Sequence, residues 1–482
     1  LNSGNGNITL GTVGENEPLL SLTVNSQGQT SLGGNITTNS SGGVNLENAS
    51  TVQLTDNITI NTTSGNGTIN LNGGTVDGNF NLELLAVNAE INLGTIGNIT
   101  PLNNLIVNTT GITTLNGNLT TNNTIDFTQA TGGTQLNSNI VITSTNGNIL
   151  FNNSPITGTG NSLTLNTPGE ISLNNVGQEG NELGKLTISN ASIVNLFGNI
   201  FTNSGLDFSG ASTVNIAANS VTLQTRSGNG NINFSNVPIE ATTTGNQLIL
   251  NAGSGDITLG TVGTNIPLNS LSINTSGQTN LGGNIRIYGT NGITFENATN
   301  IILTNDVNID TRLGNGIINF ANGTVDGNFN LQLTAGSGNI ILSTLGENQA
   351  LNSLQVETTG ITTLDGNLTT NNNINFTQAT GGTQLNADVV MNSNNGDIDF
   401  NNSPISGTGN NLTLNAPNGN ISLDTIGSTG NELGEITTNS NGITRFNRTV
   451  NATSLTTNSG GTTELNANIT TTGENGQIKV LA

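Results

Sequence analysis

The 482-residue sequence has no cysteine, no histidine and no tryptophan, with one tyrosine and one methionine. Without histidine or cysteine, the usual nucleophilic and zinc-hydrolase sites cannot be assembled. The missing cysteines do not identify a reducing compartment, because a long secreted fibre that needs no disulfide staples has the same composition. Basic residues are scarce. There are seven (Lys185, Arg226, Arg286, Arg312, Arg445, Arg448 and Lys479), against 29 acidic residues, for a net charge of −22. Phosphate backbones are bound by clustered Lys and Arg, so nucleic acid is excluded as a partner, and an anionic membrane surface is disfavoured for the same reason. Dispersed negative charge reads as a solubility device. No apolar run approaches the ~18 residues of a membrane helix, so no membrane insertion is expected. The first residues lack the basic and apolar segments of a signal peptide.

What the chain does contain is repetition at two lengths. TVDGNFNL at 75–82 returns at 324–331, and FTQATGGTQLN at 127–137 returns at 376–386, both 249 positions later. Nested within is a cassette opened by a Gly/Asn turn and an isoleucine, at Ile69, Ile149, Ile232, Ile318, Ile398 and Ile478, spaced 80, 83, 86, 80 and 80. Such periodicity marks a solenoid, a propeller or an array. The cassettes are 69–148, 149–231, 232–317, 318–397 and 398–477, after a partial one at 1–68 and before the start of another at 478–482.

A shorter beat runs inside each cassette. Ile69, Ile91 and Ile112 are spaced 22 and 21, and Ile149, Ile171 and Ile193 are spaced 22 and 22. Each unit of ~20–22 residues holds short alternating stretches such as ILF and LTLN, the pattern of half-buried strands. They are separated by GNG and NNG clusters, where Gly and Asn tolerate positive φ cheaply. Strands this short cannot build a core alone, but stacked on equivalent coils each pairs with those above and below. The predicted fold is all-β, a right-handed parallel β-helix forming one continuous solenoid over 1–482. It has roughly 23 coils and a length of about 110 Å at ~4.8 Å per coil. Its core files are expected to include Ile69, Ile91, Ile112, Ile149, Ile171, Ile193, Ile318 and Ile340, with Phe80/Phe329 and Phe151/Phe400 also inside. Aligned Asn and Thr side chains are expected to form polar ladders. A propeller is the rival, but its blades carry aromatic signatures that are missing, and this beat is too short for a blade.

The frame of the two ends predicts an excerpt of a longer array. Leu1-Asn2 aligns with Leu250-Asn251. Joining copies head to tail would leave Ile478 and the next Ile8 only 12 residues apart, where a first coil takes 22 to 25.

GNGTINLNGGTVDGNFNLEL, NAEINLGTIGNITPLNNLIVN and TTGITTLNGNL resemble the repeats of bacterial filamentous-haemagglutinin-like exoproteins, large secreted surface proteins commonly exported by two-partner secretion. The resemblance covers essentially the whole chain and is specific for a β-solenoid exoprotein, though the N-P-N-G secretion domain of that family is missing. It implies an extended extracellular or cell-surface shaft used in adhesion, aggregation or coating. Partners would be the chain itself, end to end or laterally, and host or neighbouring cell-surface glycans.

Polysaccharide lyases and glycosidases also use parallel β-helices, so a carbohydrate-active enzyme is the alternative. It would need clustered carboxylates with Arg or Lys nearby. Between the long repeats Asp126 becomes Asn375, Asp56 becomes Asn305, Glu15 becomes Thr264 and Lys185 becomes Glu435, while the apolar frame persists. No catalytic residue and no cofactor is therefore expected, and Arg445/Arg448 is the best remaining candidate for a unique site. Asp77 and Asp326, in TVDGN, are the shared carboxylates and the weak calcium candidates. The alternative there is an Asp turn that bonds its own backbone. Asp397 and Asp399 flank an inward Ile398 without an obvious third ligand. The pairs Thr113-Thr114 and Thr362-Thr363 raise ice binding, but they shift between coils. The sequons at Asn7, Asn35, Asn57, Asn66 and Asn98 arise by chance in an Asn/Thr-rich ladder.

Overall fold

A computed structural model describes residues 1–473 and 476–481. The cassette ranges 398–477 and 478–482 therefore include three positions, Glu474, Asn475 and Ala482, outside the described residues. Among the described residues there is no helix, and 54% of the chain is strand in parallel sheets stacked as β-solenoid windings, about 21 in all. The sequence beat predicts slightly more turns because windings hold nearer ~23 residues than 21. No helix is long and apolar enough to cross a membrane. The chain divides into two compact units, Leu1–Asn233 and Phe234–Ala482.

In the first unit a typical winding lays down three short strands, one per sheet, although Leu22–Leu32 and Val44–Leu54 run on as single longer strands. Thr134–Leu136, Ile140–Ser144 and Ile149–Phe151 make one such winding. They pair in parallel with Thr113–Leu115, Leu119–Thr121 and Ile125–Ala130 of the winding before, matching Thr113 to Thr134, Leu119 to Ile142 and Ile125 to Ile149. The alternation of apolar and polar residues sends every second side chain inward, so these matches become buried files. The first sheet's file descends through Ile69, Ile91, Thr113, Thr134 and Ile156. The second runs through Leu105, Ile125, Ile149, Ile171 and Val194, and the third through Ile140, Leu163, Leu186, Leu206 and Ile232.

The second unit repeats the scheme. Its first file contains Ile293, Ile318, Ile340, Thr362 and Thr383. Its second contains Leu354, Ile374, Ile398 and Ile421, and its third Val389, Leu412, Ile436, Leu455 and Ile478.

The cassette openers do not stack on one another. From Ile69 the first file passes through Ile91 and Thr113 to Thr134, three windings on. The chain then crosses the third sheet at Ile140 and reaches Ile149 in the second. A cassette is therefore about three and two-thirds windings, and each opener moves to another sheet: Ile69, Ile149 and Ile232 in the first unit, Ile318, Ile398 and Ile478 in the second. Three cassettes, the 249-residue repeat, make a whole number of windings, about eleven.

Two of the expected core isoleucines lie outside the core. Ile112 is 43% and Ile193 39% exposed. The residues under Ile91 and Ile171 are instead Thr113 and Val194. The constant element is the leucine two places on, Leu71-Leu93-Leu115-Leu136 in the first file, and Thr or Val fills the Ile position with a similar β-branched shape. An alignment on Ile slips by one residue, which turns a side chain to the opposite face. Phe151 and Phe400 are buried and stack on Phe127 and Phe376 at 4.7 and 4.6 Å between ring centroids. Phe80 and Phe329 are only half-buried, because each follows a tight turn in which its N–H donates to the carbonyl of Gly78 or Gly327.

Asparagine completes the corners. Where the chain leaves one sheet for the next, backbone N–H groups of the following winding lose their carbonyl partner, and an unpaired buried N–H is costly. The side chain just before the inward apolar residue accepts them. Asn35 Oδ1 takes the Thr59 N–H at 2.8 Å, Asn118 that of Val141 at 2.8 Å and Asn139 that of Ser162 at 2.8 Å. The sequon asparagines Asn7, Asn57 and Asn66 do the same for Gln29, Asn81 and Asn88. Amide ladders also run along the sheets, as in Asn392-Asn415-Asn439-Asn458 with contacts of 2.8, 2.6 and 2.8 Å.

Replacing Ile91 by Ala should destabilise the first unit by about 2–5 kcal/mol. Replacing Ile112 by Ala should change stability by less than about 0.5 kcal/mol. Chemical denaturation with amide hydrogen exchange of the first sheet checks both, and equal costs would contradict a register in which Thr113, not Ile112, lies under Ile91.

Candidate functional site

The most buried carboxylates are structural in their contacts. Asp77, 2% exposed, accepts the Ile99 and Thr100 N–H groups of the next winding at 2.8 and 3.0 Å. Asp326 accepts those of Asn348 and Gln349 at 3.0 and 3.1 Å, and Asn348 Nδ2 reaches its second oxygen at 3.0 Å. Glu240 does likewise for Asn265 and Ile266, at 3.0 Å each. All three hold the base of an outward loop that starts at a left-handed glycine, Gly97, Gly346 or Gly263, with φ of 68°, 70° and 68°. A Cβ at Gly97 would stand 2.1 Å from the Thr120 carbonyl oxygen, so only glycine can start the excursion.

Asp77 and Asp326 therefore do not fit calcium. Each is a single carboxylate engaged by N–H donors, where calcium takes six to eight oxygens. No group of three or more metal-binding side chains occurs among the described residues. Nor do they bond their own turn, since the donors lie 22 and 23 residues away in the following winding. Sequence reasoning missed Glu240 because its motif reads IEA rather than VDG. The loop GTVGTNIPLN that follows about twenty residues later, like GTIGNITPLN after Asp77, was the available signal.

The interchange of Asp and Asn between repeats has a direct cause. Asp126 and Asn375 accept the N–H of Thr128 and Thr377 at 2.8 and 2.9 Å. Asn57 and Asp306 accept those of Asn81 and Asn330 at 3.0 and 2.9 Å. Asn139 and Asp388 accept those of Ser162 and Asn411 at 2.8 Å each. The corner requires an Oδ1 acceptor, which amide and carboxylate both supply, and the charge plays no part in it.

The basic side chains are largely committed. Arg445 pairs with Glu464 at 2.8 Å and Arg448 with Asp424 at 3.4 Å. Arg226 meets Glu179 at 2.6 Å and Arg312 meets Asp310 at 3.1 Å. Lys185 lies 3.5 Å from Asp207. Burial pushes the Asp207 carboxyl up, but the Ser209 hydrogen bonds and the Lys185 charge outweigh it and leave the group below its ordinary range.

Around Arg445, the residues Asp399, Ser422, Arg445 and Glu464 follow one another on the outer face of the second sheet. Asp397 accepts the Asn420 N–H at 2.7 Å and Asp399 that of Asn401 at 2.9 Å. Burial raises the Asp399 carboxyl above its usual value, the Asn401 bond opposes this, and the neighbouring Asp397 charge adds to it.

Two concavities in the second unit lack the converging ionisable groups of a catalytic groove. The larger, about 670 Å³, lies over Thr383–Leu385 and Ile405–Ser406 and has no ionisable side chain in its lining. Another of about 490 Å³ has Arg312 and Glu357, and Arg312 is already paired. The threonine pairs do not form a flat array. Thr113 and Thr362 are buried in the first file, and Thr114 and Thr363 point outward.

Compared with protein-family models, curated proteins and solved structures, the chain matches none.

Asp77 Oδ2 is buried without a hydrogen-bond partner, and Ile99 stands where Asn348 serves the equivalent Asp326. Ile99→Asn should therefore raise stability by about 1–3 kcal/mol, measured by denaturation; a neutral or destabilising result would contradict this pairing. Stability should also depend on the ionisation of Asp399. The folded state holds a proton on this carboxyl more tightly than the unfolded chain does, so ionisation costs stability as pH rises through the folded value. Asp399→Asn should raise the Tm at neutral pH, and the gain should close as pH falls through the carboxylate range and the parent side chain takes up its proton.

Proposed function

We propose that the chain is a length of shaft from an extracellular, bacterial cell-surface filament or adhesin of the filamentous-haemagglutinin-like kind, exported by two-partner secretion and without enzymatic activity. Its role is mechanical. Backbone pairing between windings and continuous apolar files resist bending and proteolysis, so the chain can hold an attachment or coating surface away from the cell. Its partners are other copies of itself and glycans of neighbouring or host cells.

One observation carries the reading. Each cassette advances about three and two-thirds windings, so within a unit its features appear on all three sheets in turn. The outward loops follow the same rule, leaving the second sheet after Val13, the third after Ile96 and the first after Val176. A catalytic groove needs its residues gathered on one face of adjacent windings. A surface distributed around every face suits coating and polyvalent contact, and interchangeable Asp and Asn at the corners suit a role in which charge position is indifferent.

Antibody raised against the chain should decorate intact cells that produce the parent protein. The purified chain should also resist a broad-specificity protease at concentrations that digest ordinary globular domains, and release no products from polysaccharides. Signal confined to lysed cells, or turnover of a polysaccharide, would overturn the reading.

A further inference from the structure

We propose that the uncharged cleft over the first sheet of the second unit, most of whose polar residues recur in the first, is a binding site for a neutral glycan. This deepens the attachment role above and rests on it for biological meaning. In the second unit the cleft encloses about 670 Å³, within the ~300–1,000 Å³ range of small-molecule sites. Its polar lining includes Gln384, Asn386, Ser406, Thr408, Asn410 and Asn431.

The cleft exists because glycine withholds side chains from it. Gly407 and Gly409 have φ of 147° and 77°, and a Cβ on Gly407 would meet the Leu385 Cβ at 2.7 Å. The first unit has the same device at Gly158 and Gly160, with φ of 143° and 75°.

The internal bonds recur as well. Gln384 Nε2 donates to Asn386 Oδ1 at 3.2 Å, and Asn386 Nδ2 donates onward to Asp365 at 2.9 Å. In the first unit Gln135 donates to Asn137 and Asn137 to Asn116 at the same 3.2 and 2.9 Å. Thr408 and Thr159 each donate to an asparagine of the outward loop, Asn431 and Asn181, at 3.3 and 3.4 Å. Asn410 and Asn161 are tied to the carbonyls of Leu385 and Leu136 at 2.8 and 2.9 Å. Gln135, Asn137, Thr157 and Thr159 are exposed, so packing does not demand them. At these positions amide answers amide and hydroxyl answers hydroxyl between the units, while Thr425 and Ser428 of the lining exchange for the equally uncharged Asn175 and Gln178, and exposed Glu15 and Lys185 become Thr264 and Glu435.

This chemistry selects the ligand. Primary amides carry two N–H donors and a carbonyl acceptor, and the bonds above use only part of that capacity. Rows of amides and hydroxyls held in place match the hydroxyl groups of a sugar, and Ile361 and Pro404 in the lining offer apolar contact for its C–H face. With no Lys or Arg in the lining and a net charge of −22, sulfated and sialylated glycans are disfavoured. An extended peptide would need a free strand edge. Here the floor is already paired, Thr383 N–H to Pro404 and Ile405 N–H to Thr425, both at 2.8 Å.

The test uses the full chain displayed on beads, probed against arrays of neutral, sialylated and sulfated oligosaccharides and against a peptide array. Retention on neutral glycans, unchanged by high salt, is expected. Gln135→Leu with Gln384→Leu, and separately Thr159→Val with Thr408→Val, should each reduce it by about tenfold while protease resistance is kept. Retention only on charged glycans, only on peptides or on nothing would overturn the proposal, as would undiminished binding by both double variants. The two readings fail separately. A chain found on intact cells that ignores glycans keeps the shaft and loses the site. A chain absent from the surface that still captures neutral sugars keeps the site and loses the shaft.

Discussion

Everything in this protein depends on each winding presenting to the next a complete row of backbone acceptors and donors in the same register. Over the strands, main chain pairs with main chain. At the corners it cannot, and the side-chain oxygens of Asn and Asp substitute, as Asn35 does for Thr59 and Asp388 for Asn411. The asparagine content thus serves a hydrogen-bonding requirement of a parallel solenoid, repeated at many bends and met at one by Ser162, which accepts the Lys185 N–H. It also explains how a chain with so few ion pairs keeps its turns ordered, since surface ion pairs contribute little in any case.

Inside, the demand is for shape and apolarity rather than for one residue type. The first file of the first unit carries Ile or Thr at one level, and from Ile69 to Thr134 leucine lies two places on. Buried threonines such as Thr113 fill an isoleucine-shaped space with hydroxyls that find no partner, a cost the close stacking of neighbours outweighs. Several buried phenylalanines stack their rings between successive windings, as Phe127 does on Phe151.

Because the cassette is not a whole number of windings, repetition in sequence does not become a stripe in space. The same fractional step that places Ile69, Ile149 and Ile232 in different sheets also sends the loops after Val13, Ile96 and Val176 in different directions. Residues that agree between the 249-residue repeats fall at the same place in each unit, which is why Gln135 and Gln384 occupy equivalent positions beside the first file. The charged residues that look most like chemistry in the sequence, Asp77, Asp326, Arg445 and Arg448, are consumed by loop N–H groups and by ion pairs.

The sequence by itself determined the fold class and the approximate winding length, because alternation at period two and turns at Gly and Asn are local properties that survive without knowledge of neighbours. It also determined that charge was dispensable, through the Asp and Asn exchanges. Only the tertiary structure decided the register, since Ile112 and Thr113 are both plausible inward residues until Leu115 is seen to lie under Leu93. It alone showed that Asp77 and Glu240 serve equivalent loops, and that exposed amides gather beside Gly158 and Gly407. Those facts depend on contacts between residues some twenty positions apart, and a shift of one position in a two-residue period exchanges inside for outside.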